Sequence, residues 1–256
     1  MIDVVKIGGN VIDNDSALQQ FLIDFAKMPQ PKVLIHGGGK LATRMAEKLE
    51  IPTQMIDGRR ITDAETLKVV TMVYAGWINK NIVAKLHALA CSAIGLSGAD
   101  SNIIPATRRS PQPIDYGFVG DVTPQKINTL FIKNLFQQNI TPVLCAITHD
   151  EQGNLLNSNA DTVASSVAIA LAMHNNVRLT FCFEKKGVLF NPDDDNSVIQ
   201  EITKRSYAEL KQYGIITAGM IPKIDNAYKA IDTGVKEVVI KHAADINNIS
   251  AGTLIK

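Results

Sequence analysis

The sequence predicts an α/β protein, a three-layer sandwich in which helices cover both faces of a mostly parallel sheet. Short apolar segments alternate along the chain with longer amphipathic segments, which is typical of parallel sheets. The chain has 256 residues, of which 46% are hydrophobic, enough to bury a large core in one domain or two lobes. No Gly/Ser-rich linker divides it, so we expect both halves to share one sheet.

The N-terminal part alternates strands and helices with clear boundaries. Pro29 and Pro31 end the first long helix, because proline lacks the N–H that a helix interior needs. Thr62 or Asp63 can cap the next long helix. The predicted elements are a strand over 4–7, a helix from residue 15 or 16 to about 28, a strand over 32–36, a helix over 40–49, and a helical stretch from 63 to about 91 that is broken near Gly76.

The segment from 95 to 121 differs in composition from the rest. Residues 95–100 form a glycine-containing, turn-rich loop, and three prolines lie between two short predicted strands, over 103–107 and 118–122. This pattern predicts a hairpin arm at the sheet edge. We expect the arm to form a lid or a wall of a substrate site.

The C-terminal part continues the alternation. The predicted elements are a helix over 128–138, a strand over 142–147, a helix from about 162 to 173, a strand over 177–183, a helix over 203–211, a loop over 214–219, a helix over 220–233 and a final buried strand over 235–240. The acidic run Asp193–Asp195 is interpreted as a solvated turn and not as a metal site.

Composition excludes several classes of protein. A net charge of +1 gives no reason to expect nucleic acid or an anionic membrane as a partner. No apolar run approaches the ~20 residues that span a bilayer, and because the first predicted strand begins at residue 4 we expect no signal peptide. Cys91, Cys145 and Cys182 are widely spaced among apolar residues, so we expect free thiols in a reducing cytoplasm.

Two glycine clusters follow the first two predicted strands. Gly8 and Gly9 come just after Lys6, and Gly37 and Gly38 directly follow the second strand. Such glycines let backbone N–H groups crowd around an anion, because no Cβ blocks the approach, and each cluster precedes a helix N-terminus. A tight turn would explain either cluster alone, and neither the P-loop nor the Rossmann pattern is complete. Two clusters with a lysine indicate a polyphosphate site.

Three further segments place polar residues at turns or helix starts. Arg59 and Arg60 precede a helix, and an arginine there can bind a carboxylate through two parallel hydrogen bonds. Asn157–Asp161 places two amides and a carboxylate where a strand passes into a helix. Lys223 lies in the first turn of a helix, where a cation opposes the helix dipole. Each of these segments also has a simpler explanation when taken singly. Arg59 or Arg60 could be a solvated surface arginine, Asn159 or Asp161 could be an ordinary helix cap, and Lys223 could be an exposed lysine.

The order of these motifs along the chain is their most specific property. It runs K-x-G-G, H-G-G-G, G-x-R-[VI]-T, G-[LI]-S-G-A-D, G-x-V-G-D, N-x-N-A-D and G-M-x-x-K. This series resembles the amino-acid kinase superfamily over nearly the whole chain, and within it the acetylglutamate kinases of arginine biosynthesis. The resemblance implies the amino-acid kinase fold and ATP-dependent phosphorylation of the γ-carboxylate of N-acetyl-L-glutamate.

The resemblance also implies roles for individual residues. Lys6 and Lys223 match the two lysines that neutralise the transferring phosphoryl group, and Asp161 matches the carboxylate that holds them. Arg60 and Asn157 match the residues that hold the α-carboxylate and the acyl amide. In the family, the N–H groups of loop glycines contact the phosphates, and these glycines are matched by Gly8, Gly9, Gly37 and Gly38. Gly38 also matches a residue that binds the substrate.

Two lobes and two small-molecule partners follow from the same resemblance. Residues 1–174 would bind the acyl amino acid and carry dimer contacts, and residues 175–256 would bind ATP, with Mg²⁺ on its phosphates and no metal held by the protein. A γ-carboxylate has a pKa near ~4.3, so it is ionised at neutral pH and needs no general base. Phosphoryl transfer instead needs in-line positioning and neutralisation of charge, which lysines and loop N–H groups supply.

Some positions depart from the family pattern and keep further substrates and roles open. Asn10 stands where the family has a small apolar residue, and Lys40 begins a Lys-Leu pair where the family has Pro-Gln. N-succinyl-L-glutamate is therefore an alternative acceptor, whose additional carboxylate on the acyl group would need a further cation, Lys40 or Arg59. The chain could also be a kinase for another small acid, or a non-catalytic nucleotide-binding regulator of this fold. Since arginine-inhibited relatives carry an extra N-terminal helix that builds hexamers, we expect an arginine-insensitive homodimer.

Overall fold

The computed structural model of the chain describes residues 1–56, 59–216 and 220–256. The strands of this part, in chain order, are β1 (Ile2–Ile7), β2 (Lys32–His36), β3 (Met55–Ile56), β4 (Arg59–Arg60), β5 (Ala93–Leu96), β6 (Ala106–Arg108), β7 (Gly120–Val122), β8 (Thr141–Cys145), β9 (Ile147–His149), β10 (Leu155–Asn157), β11 (Val177–Phe183), β12 (Glu201–Ile202), β13 (Glu237–His242) and β14 (Thr253–Ile255). Eight of them form one sheet in the order β12-β14-β13-β11-β1-β2-β8-β5. Neighbours in it are parallel, except that β13 and β14 are antiparallel.

Helices follow most of the strands, as the alternation predicted. In chain order they are α1 (Gly9–Ile12), α2 (Asp15–Lys27), α3 (Gly39–Lys48), α4 (Ala64–Thr71), α5 (Asn79–Ala88), α6 (Thr129–Gln137), α7 (Ala160–Ala172), α8 (Lys204–Gln212) and α9 (Ile221–Asp232). Side-chain oxygens cap several of their N-termini: Asn14 accepts from Ala17, and Asp63 accepts from Thr66. Such caps replace hydrogen bonds that the first turn of a helix lacks.

The sheet is covered on both faces. Successive residues of a strand point to opposite faces, yet every residue of β1, β2 and β8 is buried. Helix α7, which is buried over most of its length, packs on β1, β2 and β11, and α5 packs on β5 and β8. The predicted α/β sandwich around a mostly parallel sheet is therefore confirmed.

One sheet extends through both halves of the chain. β1 pairs in parallel with β2 on one side and with β11 on the other, with Ile7 opposite both His36 and Cys182. The residues that follow β1 and β2 therefore lie at the same edge of the sheet, where ligands of open α/β sheets usually bind. This register brings the two glycine clusters near each other.

The long helical stretch is continuous and is not broken at Gly76 as the sequence predicted. A seven-residue π-helical segment, Met72–Ile78, joins α4 directly to α5. Such wide turns are rare and are often found at functional sites. Glycine fits there without strain, because nothing lies within 4 Å of the position a Cβ of Gly76 would occupy.

Several strands were missed in the sequence, among them β5, β12 and β14. β5 lies at the sheet edge, and its second half falls in the loop predicted over 95–100; a Cβ on Gly95 would come 2.0 Å from Asn79 Oδ1. The close approach of α5 thus requires a glycine at residue 95. Because glycine is unfavourable in strands and has no side chain to continue the apolar alternation, the sequence did not indicate a strand here. β14 follows β13, so the predicted last strand is not the final one. The predicted loop over 214–219 falls partly on 217–219, outside the described residues.

The arm is a short hairpin, and a second short hairpin lies next to it. The two predicted arm strands shorten to β6 and β7, which pair antiparallel. The strand predicted over 142–147 divides into β8, in the main sheet, and β9, which leaves it to pair with β10. Backbone bridges join the arm to these hairpins, at Pro105 with His149 and at Val119 with Asn157. The arm is thus held beside the start of α7.

Candidate active site

Lys6, Asp161 and Lys223 meet at the carboxyl ends of the central strands. Lys6 lies near the end of β1, and the other two lie in the first turns of α7 and α9. The Lys6 Nζ is 2.6 Å from Asp161 Oδ1, and the Lys223 Nζ donates a 2.6 Å hydrogen bond to Oδ2. The side chains of Lys6, Asp161 and Lys223 are 11%, 15% and 23% exposed, respectively. One mostly buried carboxylate therefore holds two ammonium groups side by side.

The carboxylate of Asp161 is kept ionised by its neighbours. Burial alone would raise its pKa, but the charges of Lys6 and Lys223 hold the pKa well below its usual value. Asn159, rather than Asp161, caps α7: its Oδ1 accepts hydrogen bonds from the N–H groups of Asp161 and Thr162, at 2.9 and 3.0 Å. Both oxygens of Asp161 are thereby left to the lysines.

The two glycine loops face a common cavity beside this cluster. Gly9, Gly37 and Gly38 line it, and within the described part of the chain their N–H groups donate no backbone hydrogen bond. Gly8 differs from the other three, because its N–H donates to the carbonyl oxygen of Cys182 at 3.0 Å and it does not line the cavity. Three of the four predicted loop glycines thus line the cavity with N–H groups that donate no backbone hydrogen bond within the described residues.

Gly38 packs tightly against the π-helical segment. Its φ is +154°, and a Cβ there would come 2.1 Å from Ile78 Cδ1 and 3.1 Å from the Tyr74 ring. No other residue type fits this position without displacing one of those side chains. The second glycine loop is therefore seated on Tyr74 and Ile78.

A buried histidine fixes the same loop from its strand. His36 is fully buried, and its burial lowers its pKa to about 4, so the ring is neutral at pH 7. The ring Nδ1 lies 2.9 Å from the carbonyl oxygen of Gly37, and Nε2 lies 3.0 Å from Asn79 Nδ2. A neutral ring that donates from Nδ1 and accepts at Nε2 satisfies both contacts. Asn79 also donates to the Val143 carbonyl oxygen at 3.0 Å, which ties the loop to α5 and β8.

Arg60 and Asn157 line the same cavity. Arg60 is buried, and its Nη2 donates to the Gly39 carbonyl oxygen at 3.0 Å and to Thr43 Oγ1 at 2.7 Å, whereas Nη1 has no hydrogen-bond partner. Among the residues described here, no carboxylate pairs with this guanidinium. Asn157 is held by a 3.0 Å hydrogen bond to Thr62 Oγ1. A buried arginine without a counter-ion favours an anionic ligand.

The cavity has a volume of about 220 Å³ and contains groups that the sequence did not single out. Arg109 and Asp121, from the arm, form a bidentate ion pair on its wall, with Nε 3.2 and 3.1 Å from the two carboxylate oxygens. The arm is therefore a wall of the site, and the motif G-x-V-G-D, which ends at Asp121, pointed to it. Tyr74 also lines the cavity, but it lies inside an apolar helical pattern that gave no sign of a ligand contact.

The two cations considered for a larger acyl group differ in position. Arg59 lines the cavity, whereas Lys40 is exposed and donates a hydrogen bond to Asn10. Gly58, the first residue of the motif G-x-R-[VI]-T, lies outside the described residues. So do residues 217–219, the last of which begins the motif G-M-x-x-K.

Two kinds of feature are absent from residues 1–56, 59–216 and 220–256. No group of three or more His, Cys, Asp or Glu side chains there could hold a metal ion. None of the helices there has the length and apolar character to cross a membrane.

Comparison with known proteins places these features in one family. Residues 1–242 match the amino acid kinase family. The chain is 51% identical over 255 residues to a protein of Phocaeicola vulgatus named acetylglutamate kinase, a match that covers 100% of this chain and 98% of that protein. A Cytophaga hutchinsonii protein of the same name is 54% identical over 244 residues, with coverage of 95% and 92%.

A solved structure resembles the chain over its whole length. The protein, from Streptococcus mutans UA159, is 31% identical, and the match covers 100% of this chain and 98% of that one with a TM-score of 0.79.

Proposed function

This chain belongs to the amino acid kinase family, and we propose that it transfers the γ-phosphoryl group of ATP to the γ-carboxylate of N-acetyl-L-glutamate, a step of arginine biosynthesis. Relatives that carry the name acetylglutamate kinase match it at about 50% identity over nearly all of both chains. The match is close enough to transfer the reaction, and the cavity contains groups suited to it.

The observation that carries the proposal is the Lys6–Asp161–Lys223 cluster beside the two glycine loops. In the reaction, a γ-carboxylate oxygen bonds to the γ-phosphorus, and the bond from that phosphorus to the β–γ bridging oxygen breaks. ADP leaves with that electron pair, and the products are an acyl phosphate and ADP. The carboxylate is ionised before it reacts, so no group has to remove a proton.

Two anions have to approach each other in this reaction, and the cluster reduces their repulsion. Lys6 and Lys223 supply two positive charges, and the N–H groups of Gly9, Gly37 and Gly38 supply oriented dipoles. Asp161 positions the two lysines and does not contact the reacting atoms. Such preorganised charge acts most strongly in a mostly buried site.

The acyl amino acid is assigned to the half of the cavity that Arg60 and Asn157 line. Arg60 would bind the α-carboxylate, since the residues that the structure describes include no counter-ion for its buried guanidinium and no hydrogen-bond partner for its Nη1. Asn157 would bind the acyl amide from the position that its bond to Thr62 fixes. Gly38 lines the same cavity.

ATP is assigned to residues 175–256, with the acyl substrate and the dimer contacts in residues 1–174. In this arrangement α9 carries Lys223 from the nucleotide side to the cluster. Mg²⁺ commonly reaches kinase sites bound to substrate phosphates, with few protein ligands of its own. We assign it to the ATP phosphates, where it would neutralise further charge.

The proposed assembly is a homodimer in the cytoplasm. Trp77 and Met72, on the π-helical segment, are 67% and 55% exposed, and large apolar side chains grouped on a surface are typical of subunit contacts. The three cysteines are free and buried, which suits a reducing compartment.

The test is ATP-dependent formation of an acyl phosphate, trapped with hydroxylamine as the hydroxamate. N-acetylglutamate, N-succinylglutamate, glutamate and aspartate are compared at equal concentrations. We expect turnover of N-acetylglutamate at least 10-fold above glutamate and aspartate. A preference for N-succinylglutamate would keep the reaction but change the acyl group, with Arg59 as the added cation to test. No product from any of the four, with ATP still bound, would refute the proposal and favour a regulatory role.

A further inference from the structure

Tyr74 projects into the substrate half of the cavity from the π-helical segment. Its ring is buried and packs on Gly38. The hydroxyl oxygen lies 3.8 Å from the position that a Cβ of Gly39 would occupy, and Arg60 Nη2 donates to the carbonyl oxygen of the same Gly39 at 3.0 Å. The hydroxyl and the guanidinium therefore converge on one residue of the cavity wall.

The Tyr74 hydroxyl is a donor without an acceptor in the described part of the chain. Buried tyrosine hydroxyls usually find a partner. Burial raises the pKa of this hydroxyl, against smaller opposing effects of the Arg60 charge and of hydrogen bonding with Arg60, so the proton is retained at neutral pH. The site thus presents a neutral donor beside the Arg60 guanidinium, whose Nη1 has no hydrogen-bond partner among the described residues.

We propose that Tyr74 is a substrate-binding residue whose hydroxyl donates a hydrogen bond to the α-carboxylate held by Arg60. The inference rests on the proposed function, because it takes an acylglutamate as the ligand. A carboxylate has lone pairs enough to accept from Arg60 and Tyr74 together. An acid that lacks this carboxylate would leave both donors unpaired in a buried site, and such a site rejects the incomplete substrate strongly.

The π-helical turn explains how a residue of a packed helix reaches the ligand. Within seven residues it places Tyr74 and Ile78 against the glycine loop and is followed directly by Asn79, which binds His36. A wider turn changes which side chains share a face, because its period differs from that of the flanking α-helices.

The experiment removes one oxygen atom and compares two substrates. Tyr74→Phe keeps the ring on Gly38 and deletes the hydroxyl. The substrates are N-acetylglutamate and 4-acetamidobutanoate, which is N-acetylglutamate without its α-carboxylate and is measured as a substrate or as a competitive inhibitor. We expect Y74F to raise the KM for N-acetylglutamate about 10-fold or more, as for a hydrogen bond to a charged group, with KM for ATP and binding of 4-acetamidobutanoate unchanged.

Tyr207→Phe is the matched control. Its hydroxyl donates to Asp225 at 2.7 Å, outside the cavity, so its loss should leave both KM values unchanged. Equal weakening of both substrates by Y74F would overturn the inference, since the hydroxyl would then not act on the α-carboxylate. An unchanged KM for N-acetylglutamate would overturn it too. If the wild-type chain phosphorylates no acylglutamate, the proposed function itself fails, which is a distinct result.

Discussion

Asp161 is the residue on which the geometry of the site depends most, because both lysines contact its two oxygens at 2.6 Å. A mostly buried carboxylate between two cations costs less to desolvate than an isolated one. The negative charge of Asp161 offsets one of the two positive charges of the lysines, so the cluster has a net charge of one positive unit with which to attract a ligand. Position, more than the amount of charge, is what Asp161 contributes.

Asp161→Asn should therefore impair the reaction through misplaced lysines. An amide cannot hold two ammonium groups in register, and small misplacements of catalytic groups can cost about 10²-fold. We expect kcat to fall by about that factor, with a smaller change in KM for ATP. Steady-state kinetics would measure it; Asp195→Asn, which removes a solvated carboxylate paired with Lys185, is the control. A kcat within twofold of the wild type would contradict a positioning role.

The buried ring of His36 makes a prediction about pH. Because burial lowers its pKa in the folded chain to about 4, while an unfolded histidine titrates near ~6.5, the unfolded state binds more protons between these values. Stability from the neutral ring is therefore complete above about pH 6.5 and is lost as pH falls toward 4, by up to about 3 kcal/mol.

Imidazole NMR would check this directly. We expect the His36 ring to stay neutral, with its proton on Nδ1, from pH 7 down to about pH 4.5, and denaturant midpoints to decline over the same range. A His36 ring that titrates near pH 6.5 in the folded chain would rule out the proposed neutral contact to Gly37.

Residues of the charge cluster were accessible to sequence reasoning, and residues of the substrate wall were less so. A lysine near the end of a strand, an acidic residue after an Asn cap and a lysine in a first helical turn occur at recognisable positions. Tyr74 was not accessible, because apolar periodicity assigns a helical tyrosine to the core and says nothing of where its hydroxyl points. Gly8 shows the opposite limit: its pattern predicted an available N–H, but the strand register gives that N–H to Cys182.

At the level of elements, the π-helical segment and the second glycine loop form one unit. Ile78 and Tyr74 leave room at residue 38 only for glycine, and Asn79 holds the ring of His36. The sequence predicted a helical stretch and a glycine loop, but neither the π-helical segment nor its contact with the loop, since a π-turn has no simple composition and Gly76 suggested a break. β5 was lost for a related reason: contact with Asn79 demands Gly95, which weakens the strand pattern.

Gly38→Ala tests this unit. The added Cβ would need Ile78 and the Tyr74 ring to move, and overpacking of this kind costs typically ~1–3 kcal/mol. We expect lower stability and a raised KM for the acyl substrate, because the loop shifts away from its seat. Gly76→Ala is the control, as nothing lies within 4 Å of its Cβ position. Thermal melts and steady-state kinetics measure the two variants. Equal melting temperatures and equal KM values for Gly38→Ala and Gly76→Ala would show that the contact of Gly38 with Ile78 and Tyr74 contributes neither to stability nor to substrate binding.

At the level of the whole molecule, one sheet carries both proposed lobes, with β1 and β11 as the central pair. Lys6 and Asp161 come from one side and Lys223 from the other. The lack of a Gly/Ser-rich linker predicted this shared sheet. The edge strand β12 and its neighbour β14 were missed, because two- and three-residue strands leave too few positions to show a pattern.

The proposed dimer predicts that the exposed part of the π-helical segment is covered in solution. Trp77→Glu should convert a dimer into a monomer, since a charge would be buried in an apolar contact. Light scattering coupled to size exclusion would measure the mass. Tyr213→Glu, at a side chain 74% exposed within residues 175–256, should remain dimeric. A dimer that W77E leaves intact would place the subunit contact elsewhere on the surface. A monomeric wild-type protein would refute the dimer.

The measurement that tests the central claim most directly is the kcat of Lys6→Met and of Lys223→Met with N-acetylglutamate and ATP. Methionine keeps the unbranched side chain out to the Cε position and removes the ammonium group, and either variant leaves Asp161 one lysine partner, so both should fold. We predict that each lowers kcat by about 10²–10³-fold, as for the loss of a comparable electrostatic group, while Lys185→Met stays at the wild-type value. Folded variants that retain kcat within a few-fold would show that the two ammonium groups do not stabilise the transferring phosphoryl group.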